Sequence, residues 1–350
     1  LRIGYVPVSI NLQSPGDRRR FAYYAASRDL NFEIADPEKK YDVVVLTQNA
    51  DLSIWRNYKL GGAKIVYDLI DSYLAVPRNE IKGRLRGLAK FVAGKSKYPI
   101  LNQWSAIESM CRRADAVVCS TEEQVRDIKP FCDNVHIILD IHNSVQKKLK
   151  DEYSSGQVFN IVWEGLGDNA FQFRSLANVF SELDKNYEIA LHFVTDLSYR
   201  KFLGKYYNVY TKDIIKKLCR RTYIYEWNEL MCSDILCAAD LAVIPVDVKN
   251  PLVMGKPENK LLLFWRLGIP TVTSATPAYV RAMKKANLDM TCEDQSDWFD
   301  TMEKYILDQG KRKAAADAGR EVAEQYYSSD QLLQKWDNVF QSILNNCDLS

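Results

Sequence analysis

The chain has 350 residues, of which 47% are hydrophobic and 26% charged, more material than one domain core usually holds. Forty-seven Lys and Arg against 45 Asp and Glu leave a net charge of +2, which excludes polyanion binding by the chain as a whole and confines any electrostatic function to local patches. No apolar run reaches the roughly eighteen residues of a membrane span, and the run at 3–10 lacks the length and cleavage site of a signal peptide. A cytoplasmic protein is expected, with a short missing leader left open by the start at Leu1.

Short β-branched runs alternate with longer helical patterns, the signature of parallel sheets built from βαβ units, so the class is α/β. Strands are predicted at 2–7, 41–47, 64–68, 116–120 and 135–139, and helices at 17–28, 81–93 and 102–113. A polar stretch at 146–157 with no apolar period separates a first domain, 1–148, from a second, 157–326. The second domain has strand patterns at 159–164, 189–195, 222–225, 241–245 and 271–274, with helices at 173–184, 211–220, 229–239, 258–267 and 277–286. Helices at 297–308, 311–326 and 329–345 complete the chain. In the last, Ser328-Ser329-Asp330 precedes a stripe of Leu332, Leu333, Trp336, Val339, Phe340 and Ile343, an N-capped amphipathic helix whose apolar face must dock. Two doubly wound Rossmann-like domains are therefore expected, with ligands at the carboxyl ends of the strands in a central cleft that the domains face.

Eight cysteines without any Cys-x-x-Cys, and only three histidines, predict reduced, buried thiols and no metal site. His136 and His192 read as strand histidines, and His142 follows the last strand of the first domain. Most of the many aromatic residues belong to the cores, with Trp104, Trp163 and Trp227 as candidates for stacking on a sugar or base.

Several segments carry chemistry. At 256–260, Lys256, Glu258, Asn259 and Lys260 open a helix, and free amides there with two ammoniums suit a phosphate; the alternative is ordinary capping with solvated lysines. Gly165 and Gly167 follow the first strand of the second domain and admit either close backbone approach to a ligand or a tight turn. In the first domain, Asp17 and Arg18 begin a helix directly after the first strand; Asp17 is a cap or a cleft residue, and one or two of the arginines at 18–20 face an anion. Asp68 and Asp71 end the third strand, where a carboxylate can act on an acceptor hydroxyl or cap a turn. Residues 82–97 form a basic amphipathic pattern suited to an anionic membrane surface or to plain solvation. Nucleic acid is not an expected partner, because basic residues lack interleaved stacking aromatics.

The spacing from Lys260 to Gly268-Ile269-Pro270, followed by Thr271-Val272-Thr273-Ser274, resembles the donor-binding helix and strand of GT-B glycosyltransferases of the family-4 type, which build bacterial surface polysaccharides such as O-antigen and capsule. Residues 239–245 and 113–122 resemble further segments of that family, and the final helix resembles the one that crosses back onto the N-terminal domain. The resemblance implies that 1–148 binds an acceptor glycan, free or lipid-linked, and 157–326 a nucleotide-sugar donor, while 327–350 packs on the N-terminal domain. It implies a nucleotide-sugar co-substrate and no tightly bound cofactor. The helix start at 258–260 would stabilise the leaving phosphate, Arg18 would assist, and Asp71, Asp17 or Asp68 would serve the acceptor, with retention of configuration.

The chain departs from the family pattern at the paired glutamates, where it has Gly255 and Leu263, and after the first strand of the second domain, where Trp163 to Asn169 brings no cation. Ribose recognition then falls to Glu164 or Glu226, and a CMP-sugar donor, an epimerase-like GT-B enzyme or a non-catalytic GT-B partner subunit are the alternatives.

Overall fold

The computed structural model describes residues 1–78, 87, 89, 91–94, 96–201 and 207–344. The chain divides into two compact units. The first comprises 1–141, 250–257 and the C-terminal segment from 329; the second comprises 142–249 and 258–328.

A six-stranded parallel sheet organises the first unit: β1 (Ile3–Val6), β2 (Phe32–Ile34), β3 (Val43–Thr47), β4 (Lys64–Asp68), β5 (Ala116–Cys119) and β6 (Val135–Ile137), in the order β2-β1-β3-β4-β5-β6. β3 and β5 are buried along their whole length, because helices cover both faces of a parallel sheet. Trp55, Tyr58, Ile107 and Met110 pack against β3 and β4 in one core. The helix Gln103–Arg113 starts at Asn102, whose side chain accepts from the Ser105 amide. The apolar stripe of the last helix, Ser329–Ile343, docks on the helix Phe21–Ser27, with Trp336 stacked on Tyr24 at 5.7 Å and Phe340 on Phe21 at 6.1 Å. Arg28 and Asp337 pair at the rim of that contact.

All five strands expected in this part of the chain are present, and β2 is an addition: two half-buried residues and an exposed Ile34 on the sheet edge offer too little apolar pattern to read. The helix expected at 17–28 is two pieces, Pro15–Arg18 and Phe21–Ser27, because the backbone breaks at Arg20 as its side chain turns into the core. A further helix, Glu122–Ile128, is set by a capping box between Thr121 and Gln124. Half of the basic stretch 82–97, with Lys82, Arg84, Arg86, Lys90 and Lys95 among it, lies outside the described residues.

The second unit holds another six-stranded parallel sheet: β7 (Phe159–Glu164), β8 (Ile189–Thr195), β11 (Thr222–Glu226), β12 (Leu241–Ile244), β13 (Thr271–Ser274) and β14 (Thr291–Cys292), in the order β11-β8-β7-β12-β13-β14. β7 and β12 are parallel neighbours, and the order in which strands are added reverses between them, the switch point where such sheets open a crevice at their carboxyl ends. An antiparallel hairpin that the sequence pattern did not reveal, β9 (Ser198–Lys201) with β10 (Tyr207–Tyr210), follows β8. The start of the helix expected at 173–184 is 3₁₀ from Gly167 to Leu176 and α-helical only over Ala177–Asn186. The helix Asn259–Arg266 is buried from Leu261 to Arg266, and Gly268, at φ 74°, stops it. The seven described cysteines are free thiols, five of them buried.

Candidate functional site

The carboxyl edge of the second sheet brings Glu164, Gly165 and Lys260 together. Lys260 lies in the first turn of Asn259–Arg266, its ammonium donating to the backbone carbonyl of Glu164 and standing 3.8 Å from the Glu164 carboxylate. It also lies 4.7 Å from the centre of the Trp163 ring, a cation–π arrangement. Trp163 is 3% exposed and wedged edge-on against Phe173, so the ring is a fixed platform. Gly165 passes directly beneath: a side chain there would collide with the Lys260 ammonium and come within 2.7 Å of the indole. The requirement is therefore for a bare backbone at the switch point, under a partly exposed cation and beside the start of a helix.

Glu258 caps the same helix without a side-chain hydrogen bond to the first-turn amides. Its carboxyl is buried and held above the ordinary carboxylate range by that burial, against the pull of its own amide, the Tyr327 contact, Arg281 and Lys285. Asn259 is the first helical residue. Gly167 donates its amide to Asp196 at 3.1 Å. Glu226 ends β11, at the edge of the sheet and exposed. Lys256 falls in the segment that packs with the first unit.

In the first unit the expected acids divide into two groups. Asp17 is wholly buried and accepts four hydrogen bonds, from the Tyr5 hydroxyl at 2.8 Å, the Val8 amide at 2.7 Å, and the Ser9 amide and hydroxyl at 2.9 Å each. It fastens the loop after β1. Asp68 is bound by both arms of Arg20 at 2.8 and 2.6 Å, and Arg20 also donates to the Ile138 carbonyl at 2.8 Å and to Asp140 at 3.3 Å. Burial pushes the Asp68 carboxyl up against the pull of Arg20; burial would likewise lower Arg20, but Asp68 and Asp140 reverse the shift and hold it protonated. Both pairs of atoms are committed to the core.

Asp71 differs. It is half-buried at the carboxyl edge of β4, and its Oδ2 accepts from the Gln48 amide group at 2.9 Å and the Tyr73 hydroxyl at 3.2 Å, while Gln48 Oε1 takes the Asp71 amide at 2.9 Å. Of the three arginines at 18–20, Arg18 is half-buried, Arg19 is 8% exposed and Arg20 is fully enclosed.

Next to Asp71, the Ser72 hydroxyl donates to the Gly255 carbonyl at 3.0 Å, and Thr121 to the same oxygen at 3.2 Å. A Cβ at Gly255 would overlap the Ser72 side chain, so a larger residue has no room there. Gln48, Ser72 and Thr121 were not picked out by sequence reasoning; only Thr121 carried a signal, the Thr-x-x-Gln spacing of a capping box. His142 is buried with Nδ1 2.9 Å from an Arg266 guanidinium nitrogen, and Trp104 is a core ring donating to the Val76 carbonyl. His136 and His192 are half-buried strand residues whose pKa is lowered by burial. Among the described residues no group of three or more His, Cys, Asp or Glu is placed to hold a metal ion, and no helix is long and apolar enough to cross a membrane.

No protein-family model matches the chain, and no curated protein matches it. Solved structures do. Anabaena HepE in complex with UDP and glucose superposes with a TM-score of 0.65 at 11% identity, covering 97% of this chain and 98% of its own. WaaG, a glycosyltransferase involved in lipopolysaccharide biosynthesis, gives 0.60 at 12% identity, covering 97% and 99%. TarM from S. aureus gives 0.58 at 13% identity over 85% of this chain, which spans 54% of the TarM chain. At such identities the likeness is one of architecture: the chain has the GT-B fold, with two Rossmann-like domains and a C-terminal helix returning to the first.

Proposed function

We propose that the protein is a glycosyltransferase that moves a sugar from a nucleotide-sugar donor to a glycan acceptor in the synthesis of a bacterial surface polysaccharide. The observation that carries the reading is Lys260 held over the bare backbone of Gly165 at the switch point of the second sheet. An anion bound there meets an ammonium, the amides of a helix start and a Gly backbone with no side chain in its way. The solved structures with this fold include complexes with UDP and with UDP-glucose, which supports a nucleotide diphosphate at the corresponding edge here.

In this reading Lys260 and Asn259 hold the donor phosphates, the Gly165 and Gly167 backbone, its amides bonded to Val194 and Asp196, leaves them room to approach, and Glu164 or Glu226 holds the ribose. As the bond to the sugar breaks, negative charge grows on the leaving phosphate, and the fixed ammonium and helix start stabilise it without reorganising. Arg18 and Lys256 are further cations for the phosphates or an anionic acceptor. Asp71, oriented by Gln48, is the acceptor residue; Asp17 and Asp68 act by shaping the loop and strand around it. The resemblance to GT-B enzymes of the family-4 type supports a free or lipid-linked glycan as acceptor, retention of configuration and action on the cytoplasmic side of the membrane.

A second reading, a non-catalytic GT-B partner subunit, is favoured by one observation: the position where related enzymes carry a glutamate is Gly255, packed so closely on Ser72 that no acid fits. Thermal unfolding with UDP, GDP, ADP, dTDP and CMP separates the two. A nucleotide at a hundred times its dissociation constant should add about 2.7 kcal/mol of stability, and Lys260→Ala should remove the gain. No response to any nucleotide would leave the partner-subunit reading.

A further inference from the structure

Beside Gly167 the second unit has another concave feature, whose lining does not include Lys260. A crevice of about 580 Å³ lies between the 3₁₀ segment Gly167–Leu176 and the hairpin β9/β10, lined by Asp168, Phe171, Arg174, Tyr199, Arg200 and Val209 among others. Its volume falls in the range of small-molecule sites.

The base of the crevice is built rather than accidental. Asp196 receives the Gly167 amide on its carboxylate at 3.1 Å and the Thr211 hydroxyl on its carbonyl at 2.6 Å, and the Thr211 amide donates to the Leu197 carbonyl at 3.0 Å. These bonds join the 3₁₀ segment to both ends of the hairpin. Tyr199 and Val209 are cross-strand partners and share one face of the ribbon.

Two features of the lining ask for a ligand. Phe171 is 47% exposed although large apolar rings are normally covered, and Tyr199 presents a second ring. Arg174 and Arg200 also enter the lining, and among the described residues neither guanidinium has an ion pair or hydrogen bond. Burial raises the Tyr199 hydroxyl, Asp168 pushes it further and Arg174 opposes, which places the arginine, the acid and the ring within electrostatic reach of one another. Rings offer flat faces for the C–H surface of a sugar, and guanidinium forks match carboxylates, sulfates and phosphates two oxygens at a time.

We propose that this crevice is a binding site for an anionic saccharide, with Phe171 and Tyr199 as stacking faces and Arg174 and Arg200 as the anion-binding pair. A lipid surface shares the chemistry of exposed rings and cations, but it needs a convex face, and here both lie in a concavity. Its lining shares no residue with the Lys260 cluster; the one link is Gly167, whose amide Asp196 takes at the base of the crevice and which the nucleotide reading places beside the donor phosphates.

The test is titration calorimetry of the full chain with a hexagalacturonate, a sulfated pentasaccharide and neutral maltohexaose, in low and in raised salt. Either anionic saccharide should bind, more weakly as salt rises, and maltohexaose should bind at least tenfold more weakly. The double variant Arg174→Gln, Arg200→Gln should lose at least tenfold in affinity while its melting temperature and any response to nucleotides stay as in the parent. Lys260→Ala should leave saccharide binding unchanged. The proposal is overturned if neither anionic saccharide binds, if the neutral one binds as well, or if the double variant binds unchanged. It is equally overturned if phosphatidylglycerol vesicles, and no saccharide, depend on the two arginines.

Discussion

At the carboxyl edge of the first sheet Arg20 and Asp68 meet arm to arm with 0% and 1% of their side chains exposed, whereas at the same edge of the second Lys260 and Glu164 stand 3.8 Å apart with 23% and 10% exposed. Both edges combine an acid at the end of a strand with a cation from a helix region. In the first, every polar arm of the arginine ends on a protein atom, so the charge serves the fold. In the second, a glycine keeps space clear beneath the cation and an indole supports it, so part of the charge still faces outward. Residue type and strand position alone do not separate the two uses; what separates them is how completely the neighbours satisfy the charge.

The largest expected effect tests the first edge. Arg20→Met leaves Asp68 buried without its partner and should lower unfolding free energy by about 3–5 kcal/mol in urea titration. Arg20→Met with Asp68→Leu should recover most of that loss, since an apolar pair of similar volume can replace a buried ion pair. If the single variant is as stable as the parent, Arg20 is not a structural charge. Gly255→Ala comes next: its Cβ would sit 2.5 Å from the Ser72 Cβ, backbone against a short side chain with no free end to swing away. Overpacking of this kind costs about 1–3 kcal/mol, and an unchanged melting temperature would show that the 250–257 segment gives way freely.

On the second edge the effect should appear in binding as well as in stability. Gly165→Ala pushes the Lys260 ammonium off its place, and nucleotide affinity should fall about tenfold, or about 1.4 kcal/mol; its Cβ also meets the fixed Trp163 ring at 2.7 Å, so an overpacking loss of about 1–3 kcal/mol accompanies it. The reverse pattern, unchanged affinity with a large loss of stability, would make this edge another structural one and erase the contrast.

The two sheets were legible in the sequence because β3, β5, β7 and β12 are near-continuous apolar runs, the form that strands take when covered on both faces. β2 and the hairpin β9/β10 escaped because their residues are half or wholly exposed and their pairing depends on neighbours distant in sequence. The same locality limits the site reading. Lys260 and Gly165 were each visible as candidates, from a helix start and a Gly-x-Gly turn, but their junction through Trp163 spans 95 residues or more of chain and no local pattern encodes it. Asp17, Asp68 and Asp71 look alike as acids after strands; only Arg20 folding inward, and the Tyr5, Val8 and Ser9 donors converging on Asp17, distinguish the first two from the third.

The smallest expected effect concerns Glu258, which shares features of both edges: it is buried like Asp68 yet belongs to the helix that carries Lys260. Its folded-state pKa is raised, chiefly by burial, so above the ordinary carboxylate range the folded protein holds a proton that the unfolded chain releases. Stability is then full below that range and falls as pH rises through the raised pKa, levelling off above it. Asp68 and Asp240 are raised by burial too and slope the same way, while Asp184 is lowered and opposes them. The total curve therefore cannot isolate Glu258, but a difference can. Glu258→Gln keeps the size and a hydrogen-bonding head without the titrating proton, so parent minus variant in urea unfolding from pH 4 to pH 8 should show a stability difference that declines with rising pH. A flat difference would mean that the helix start already neutralises this carboxylate when it ionises. The N-terminus of Asn259–Arg266 would then be spending its positive end on its own cap, leaving less of it for a bound phosphate.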